Sequence, residues 1–194
     1  YYCAEEEKDL MGKLYFDTLR LGQVLNEPAL AEPIFRDADI IGFDMKCLSW
    51  QAIADPLKGQ PNGIDSRTIC SLTWYAGISD HISFVGFFEI PSTPMTDQLL
   101  AQMIWYLIEG VQLRFEEYPV NTKDFLKYSV TLSDQIMVFY KSDKSNRWWM
   151  ELTNNSHLNN KITSTTLLAC TEKDYLDAMQ DKIPERWYNA IKRT

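Results

Sequence analysis

Apolar residues recur along the 194-residue chain first with helical and then with strand spacing. Between Asp9 and Val24, the positions Leu10, Leu14, Leu21 and Val24 fall near a 3.6-residue repeat and predict a helix. NEPALAEP follows, where Pro28 and Pro33 set the ends of a connection or short helical segment. Ile40 to Met45 is a short apolar run between polar flanks, the pattern of a central parallel strand buried on both faces. Ser49 to Asp65 has no clean periodicity and carries two prolines and two glycines, which predicts a long loop of the kind that is usually functional. Ser66 opens a helix through Tyr75, with Gly77 as its expected C-cap. A second apolar strand, His81 to Ile90 (HISFVGFFEI), nears its end at Glu89. The clearest helix comes next, where Leu99, Leu100, Met103, Ile104, Leu107, Ile108 and Val111 form a wide apolar stripe.

Strand, helix, strand, helix in this order predicts an α/β fold with a parallel sheet and helical crossovers. Ligands on such sheets bind beyond the carboxyl ends of the strands, where Asp44 and Glu89 stand. The pattern changes after about Arg114. QIMVFYK and RWWMEL flank SDKSN and predict an antiparallel hairpin with a polar turn. TNNSHLNNKITSTT reads as a polar loop. Thr171 and Asp174 form a capping-box pattern opening a helix through about Gln180, and Pro184 starts a last helix, PERWYNAIKR. The expected organisation is therefore an α/β portion over residues 1–118 and a hairpin and helical extension over 119–194 packed on it.

Composition narrows the partners. Apolar residues make up 45% and charged residues 24%, values of a globular chain and not of a disordered one. The net charge of −8, without any Lys/Arg-rich stripe, argues against nucleic-acid binding. The longest apolar stretches fall short of the roughly 20 residues that span a bilayer, so no membrane segment is expected. Cys3, Cys47, Cys70 and Cys170 lie far apart, without the paired spacing of a zinc site, and read as reduced thiols of a cytoplasmic protein. Cys47 has no histidine nearby in sequence to activate it. KSDKSNRWW reads as a solvated hairpin tip, GQPNG as turn chemistry and EEEKD as a helix start. The chain opens YYCAEEEKD, without Met, and is expected to be a piece of something longer.

Taken alone, Asp44 and Glu89 have an ordinary explanation, since carboxylates often end strands in solvent or cap the next helix. Their surroundings add to this. GFDMKCLSW, then PLKGQPNGID, a helix, and a strand ending FFEI before a proline together resemble the C-terminal part of the ureohydrolase superfamily. That superfamily includes the arginases, agmatinases and formimidoylglutamases. It carries a strand-end motif Ser-Phe-Asp-x-Asp-x-x-Asp-Pro, a Gly/Pro-containing loop, and a later strand ending in a glutamate. AQMIWYLIEG and IMVFYKSDKSNRWWMEL are similar to a formimidoylglutamase-like branch with a C-terminal extension. The resemblance runs from about Leu10 to Arg193, with the family-wide motifs between Gly42 and Pro91.

The resemblance implies a hydrolase of linear amidines such as formimidoylglutamate, with Mn2+ held by the motif's aspartates and a small amidine or guanidine as substrate. It makes Asp44 the first metal aspartate and Glu89 the glutamate that receives the substrate. The second metal aspartate is Lys46, the closing Asp-Pro is Ser49-Trp50, and the opening Ser is Gly42. A protonated lysine is no metal ligand. On a regular strand Lys46 shares a face with Asp44. It is therefore expected to pair with Asp44 and supply the charge a metal would bring; the alternative is that a local bulge turns it to solvent. His81, at a strand start, and His157, in a polar loop, match no family motif. This chain is thus expected to bind no metal and to be inactive, either as a fragment of an enzyme or as a non-catalytic pseudoenzyme that binds or scaffolds. A sheet without its first strands leaves an edge open, so self-association or pairing with the missing N-terminal half is expected.

Overall fold

The computed structural model describes residues 4–118, 120–132, 135–153 and 165–193. The chain divides into two compact units, Leu19–Pro119 and Tyr1–Thr18 together with Val120–Thr194. Residues 1–18, which the sequence groups with the α/β portion, thus fall in the second unit.

The single helix expected from Asp9 to Val24 is two helices, α1 (Glu5–Lys13) and α2 (Leu21–Asn26). The physical reason is a Schellman turn built without glycine. Tyr15 takes a left-handed conformation with φ 54°, the Tyr15 amide donates to Gly12 O, and the Phe16 amide reaches back to Met11 O at 3.2 Å.

In the unit Leu19–Pro119, a 3-10 turn at Pro28–Ala31 leads into α3 (Glu32–Arg36) and then β1 (Ile40–Asp44). A further 3-10 turn, Met45–Cys47, is followed by α4 (Trp50–Ile53), α5 (Ser66–Gly77), β2 (Phe84–Phe88) and α6 (Pro94–Gln112). β1 and β2 pair in parallel, with Ile40 opposite Phe84 and Asp44 opposite Phe88. Ile41 and Phe43 point into a core with Ile69, Leu72, Leu99 and Met103 of the helices, and Phe43 stacks on Phe87 at 5.6 Å.

β1 is not buried on both faces as its apolar run suggests; exposed and buried residues alternate along it. The helical core covers one face, while Ile40 (69% exposed), Phe84 (56%) and Phe88 (53%) lie open on the other. Such a bare face is unusual for parallel strands. Among the described residues, each strand also has one unpaired edge.

Gly77 does not cap α5 through a left-handed backbone, since no described glycine has a positive φ. Its role is close packing. A Cβ on Gly77 would lie 2.3 Å from Leu107 O and 2.9 Å from the Gly110 Cα, so α5 and α6 touch through their backbones.

The expected long loop from Ser49 to Asp65 contains α4, and its remainder is tied down. Ser49 pairs with Gln60 and Leu48 with Ile64 in isolated parallel bridges. Gly59 is needed there because a Cβ would sit 2.2 Å from the Trp50 Cα. The segment seals Leu48 and Ile53, both fully buried. It is tied-down structure and not an open loop.

The other unit holds a four-stranded antiparallel sheet in the order β3 (Leu126–Leu132), β4 (Gln135–Lys141), β5 (Trp148–Thr153), β6 (Thr165–Cys170). β4 and β5 are the expected hairpin; β3 and β6 flank it. α7 (Glu172–Met179) starts at the Thr171–Asp174 capping box, and α8 (Glu185–Arg193) follows Pro184. Tyr175 of α7 stacks on Trp148 at 4.9 Å, and Trp187 of α8 donates its indole N–H to Glu151 O. The N-terminal segment joins this unit through Asp17, whose Oδ2 lies 3.2 Å from Arg193 Nη2 and 3.6 Å from Arg186 Nε, and through Tyr15 edge-on to Tyr188. Most of the polar tract between β5 and β6, including His157, lies outside the described residues.

Candidate functional site

The parallel register brings Asp44 and Glu89 to the same, carboxyl end of the pair: Asp44 faces Phe88, and Glu89 is the next residue. Each then leaves the strand in its own way. The Asp44 carboxylate accepts the Lys46 amide N–H at 2.9 Å and caps the 3-10 turn Met45–Cys47. This is the local turn chemistry of an aspartate binding the amide two residues on. Met45 anchors the turn by burying its side chain completely. Glu89 takes a left-handed conformation, φ 52°, which turns the chain sharply after β2.

Lys46 therefore does not continue the strand, and the same-face argument that paired it with Asp44 fails. Its ammonium reaches across to Glu89, with Nζ 3.1 Å from Oε2, while only its backbone amide binds Asp44. The pair is open to water, the side chains being 62% and 58% exposed. Exposed pairs of this kind contribute about 0–1 kcal/mol. The contact matters more for the local charge, because it sets an ammonium against one of the two strand-end carboxylates.

Burial, followed by the neighbouring Asp44 charge, pushes the Cys47 thiol up to about 11, so it stays protonated and is no nucleophile. His81 sits at the opposite end of the strands. Its Nε2 lies 3.0 Å from Asp39 Oδ1, and its ring stacks on Tyr118 at 4.1 Å. Beside it, Asp80 accepts the amides of Glu116 and Glu117, and Arg114 donates to Gly77 O and Ile82 O, so this end is a structural tie.

Among the described residues, no three His, Cys, Asp or Glu side chains come together to hold a metal ion. The manganese pair implied by the resemblance does not fit this donor set: Asp44 is engaged in its turn, and the second aspartate's position holds Lys46, whose ammonium stands on Glu89. Sequence reasoning missed the Lys46 to Glu89 contact. Its signal was Asp44 followed two residues on by the amide it caps, which stops the strand before Lys46. No described helix is long and apolar enough to cross a membrane.

No family model matches the chain, and no curated protein matches it. Among solved structures, the crystal structure of formimidoylglutamase from Bacillus subtilis subsp. subtilis str. 168 is similar, with a TM-score of 0.52 and 16% sequence identity. The similarity covers 59% of this chain and 40% of that chain, so the chain matches about two fifths of the other's length. At this identity the likeness is one of fold.

Proposed function

We propose that the chain is a fragment or divergent member of the ureohydrolase family. Its parent resembles a manganese-dependent hydrolase of linear amidines such as formimidoylglutamate. The observation that carries this reading is the placement of Asp44 and Glu89 at the carboxyl ends of adjacent parallel strands, within a chain whose fold is similar to that of a formimidoylglutamase. The order of sequence motifs from Gly42 to Pro91 supports it.

The chain by itself is proposed to be inactive. The Lys46 to Glu89 pair favours a second reading, a non-catalytic relative that keeps the fold as a binding or structural module. The open face and edges of β1 and β2 support association with a second copy or with further parts of such a fold; a strictly monomeric sample in light scattering refutes that element. The reading places the protein in the cytoplasm.

The test is an assay of the purified chain with formimidoylglutamate and Mn2+, following release of formamide, beside any longer product of the same gene. Turnover by this chain alone refutes its inactivity. About two manganese ions per subunit in the longer product, the number of a dinuclear hydrolase site, supports the enzyme reading, and none supports the non-catalytic one.

A further inference from the structure

We infer that Lys46 is a built-in counter-cation that closes the carboxyl ends of β1 and β2 to divalent metal. The inference rests on the fold reading above, which marks those strand ends as the place where ligands approach. Three observations carry it. The two carboxylates stand at the same, carboxyl end of adjacent parallel strands in fixed register. The Lys46 ammonium stands against one of them at 3.1 Å, and its own amide engages the other at 2.9 Å. The buried Met45 fixes the turn, so the lysine is delivered there by the backbone.

With Lys46 present, the three side chains sum to one negative charge, and the Glu89 carboxylate is already matched by an ammonium. A carboxylate at position 46 brings the sum to three negative charges. It also supplies three oxygen-bearing side chains, the hard ligands that Mn2+ and Mg2+ take.

The experiment is Mn2+ titration of the intact chain and of Lys46→Asp, Lys46→Met and the double variant Lys46→Asp/Glu89→Gln. Site-resolved paramagnetic broadening of amide signals is the readout. The expected result is no preferential broadening at residues 44–47 and 88–90 in the wild type. Lys46→Asp should broaden there, with at least tenfold higher affinity for Mn2+ than the wild type. Lys46→Met should fall between the two, and the double variant should lose most of the gain. Mn2+ held by the wild type at those residues overturns the inference, and so does a folded Lys46→Asp chain without the gain. These outcomes are independent of amidine turnover, so failure of the hydrolase reading and failure of this inference are distinguishable.

Discussion

Gly77→Ala adds one methyl group where α5 and α6 touch. In place, the new Cβ would stand 2.3 Å from Leu107 O and 2.9 Å from the Gly110 Cα, both backbone atoms that no rotamer change can move. Ordinary contact needs about 3.4 Å or more, so the helices must separate by about 1 Å. That loosens the packing around Ile69, Leu72, Leu99 and Met103. Overpacking of a well-filled core costs about 1–3 kcal/mol, and the backbone target puts this site at the upper end. Replacing glycine within a helix returns up to about 1 kcal/mol, less at the last position of α5. The net expectation is a destabilisation of about 2 kcal/mol in the Leu19–Pro119 unit, or a fall of roughly 8–16 °C in its midpoint for a unit of this size. Amide hydrogen exchange resolved to α5 and α6 reads this unit apart from the other. Gly12→Ala in α1 is the control, because its Cβ meets nothing within 4 Å and the change should be neutral or slightly stabilising. Unchanged exchange in α5 and α6 of Gly77→Ala, or slower exchange, refutes the argument.

Other consequences are as direct. Asp17→Ala leaves Arg186 and Arg193 without their shared carboxylate, whose side chain is only 12% exposed, and should cost the second unit about 1–3 kcal/mol in urea unfolding, the range for a lost hydrogen bond to a charged group. Asp65 caps α5 by accepting the Thr68 amide and hydroxyl; Asp65→Ala should cost about 1 kcal/mol, while Asp65→Asn should retain most of the capping. Burial works to raise the Asp65 pKa, but the hydrogen bonds from Thr68 and the Arg67 amide outweigh it and hold it below the ordinary 3.8. Its contribution is therefore present above that value and lost as pH falls below it, which unfolding curves between pH 6 and pH 3 should show for the wild type and not for Asp65→Ala. Cys47, pushed up to about 11, should alkylate far more slowly at pH 8 than the same thiol in the urea-unfolded chain. Because the unfolded thiol ionises near 9.0 and the folded one near 11, the Cys47 contribution should weaken as pH rises above 9 and should be absent from Cys47→Ala.

The elements legible in the sequence are those whose pattern is local. β1, β2 and α6 follow from apolar runs and stripes, and α7 from the Thr171 and Asp174 capping box. β3 was legible in principle, since Tyr128, Val130 and Leu132 alternate with polar residues. Its pairing partner gives no local cue, and the same holds for β6 beyond a polar tract. The end of α1 was hidden because Tyr15, not glycine, takes the left-handed position. At the strand ends the residues were visible but their pairing was not: a two-residue spacing puts Lys46 beside Asp44 only while the strand continues, and the Asp44-capped turn ends it first. The open face of β1 and β2 was equally hidden, because an apolar run does not record how many layers cover it.

The division of the chain also sets an order of events during synthesis. Leu19–Pro119 is continuous and has all its residues as soon as Pro119 has left the ribosome. Asp17, made before any of them, must wait for Arg193, 176 residues later. At translation rates of about 5–20 residues per second that wait is roughly 10–35 s, long compared with the folding of a small domain. The segment around Asp17 is thus made before the Leu19–Pro119 unit yet finds its partners after it, and a nascent chain halted before α8 would carry that unit complete with the segment preceding it still unanchored.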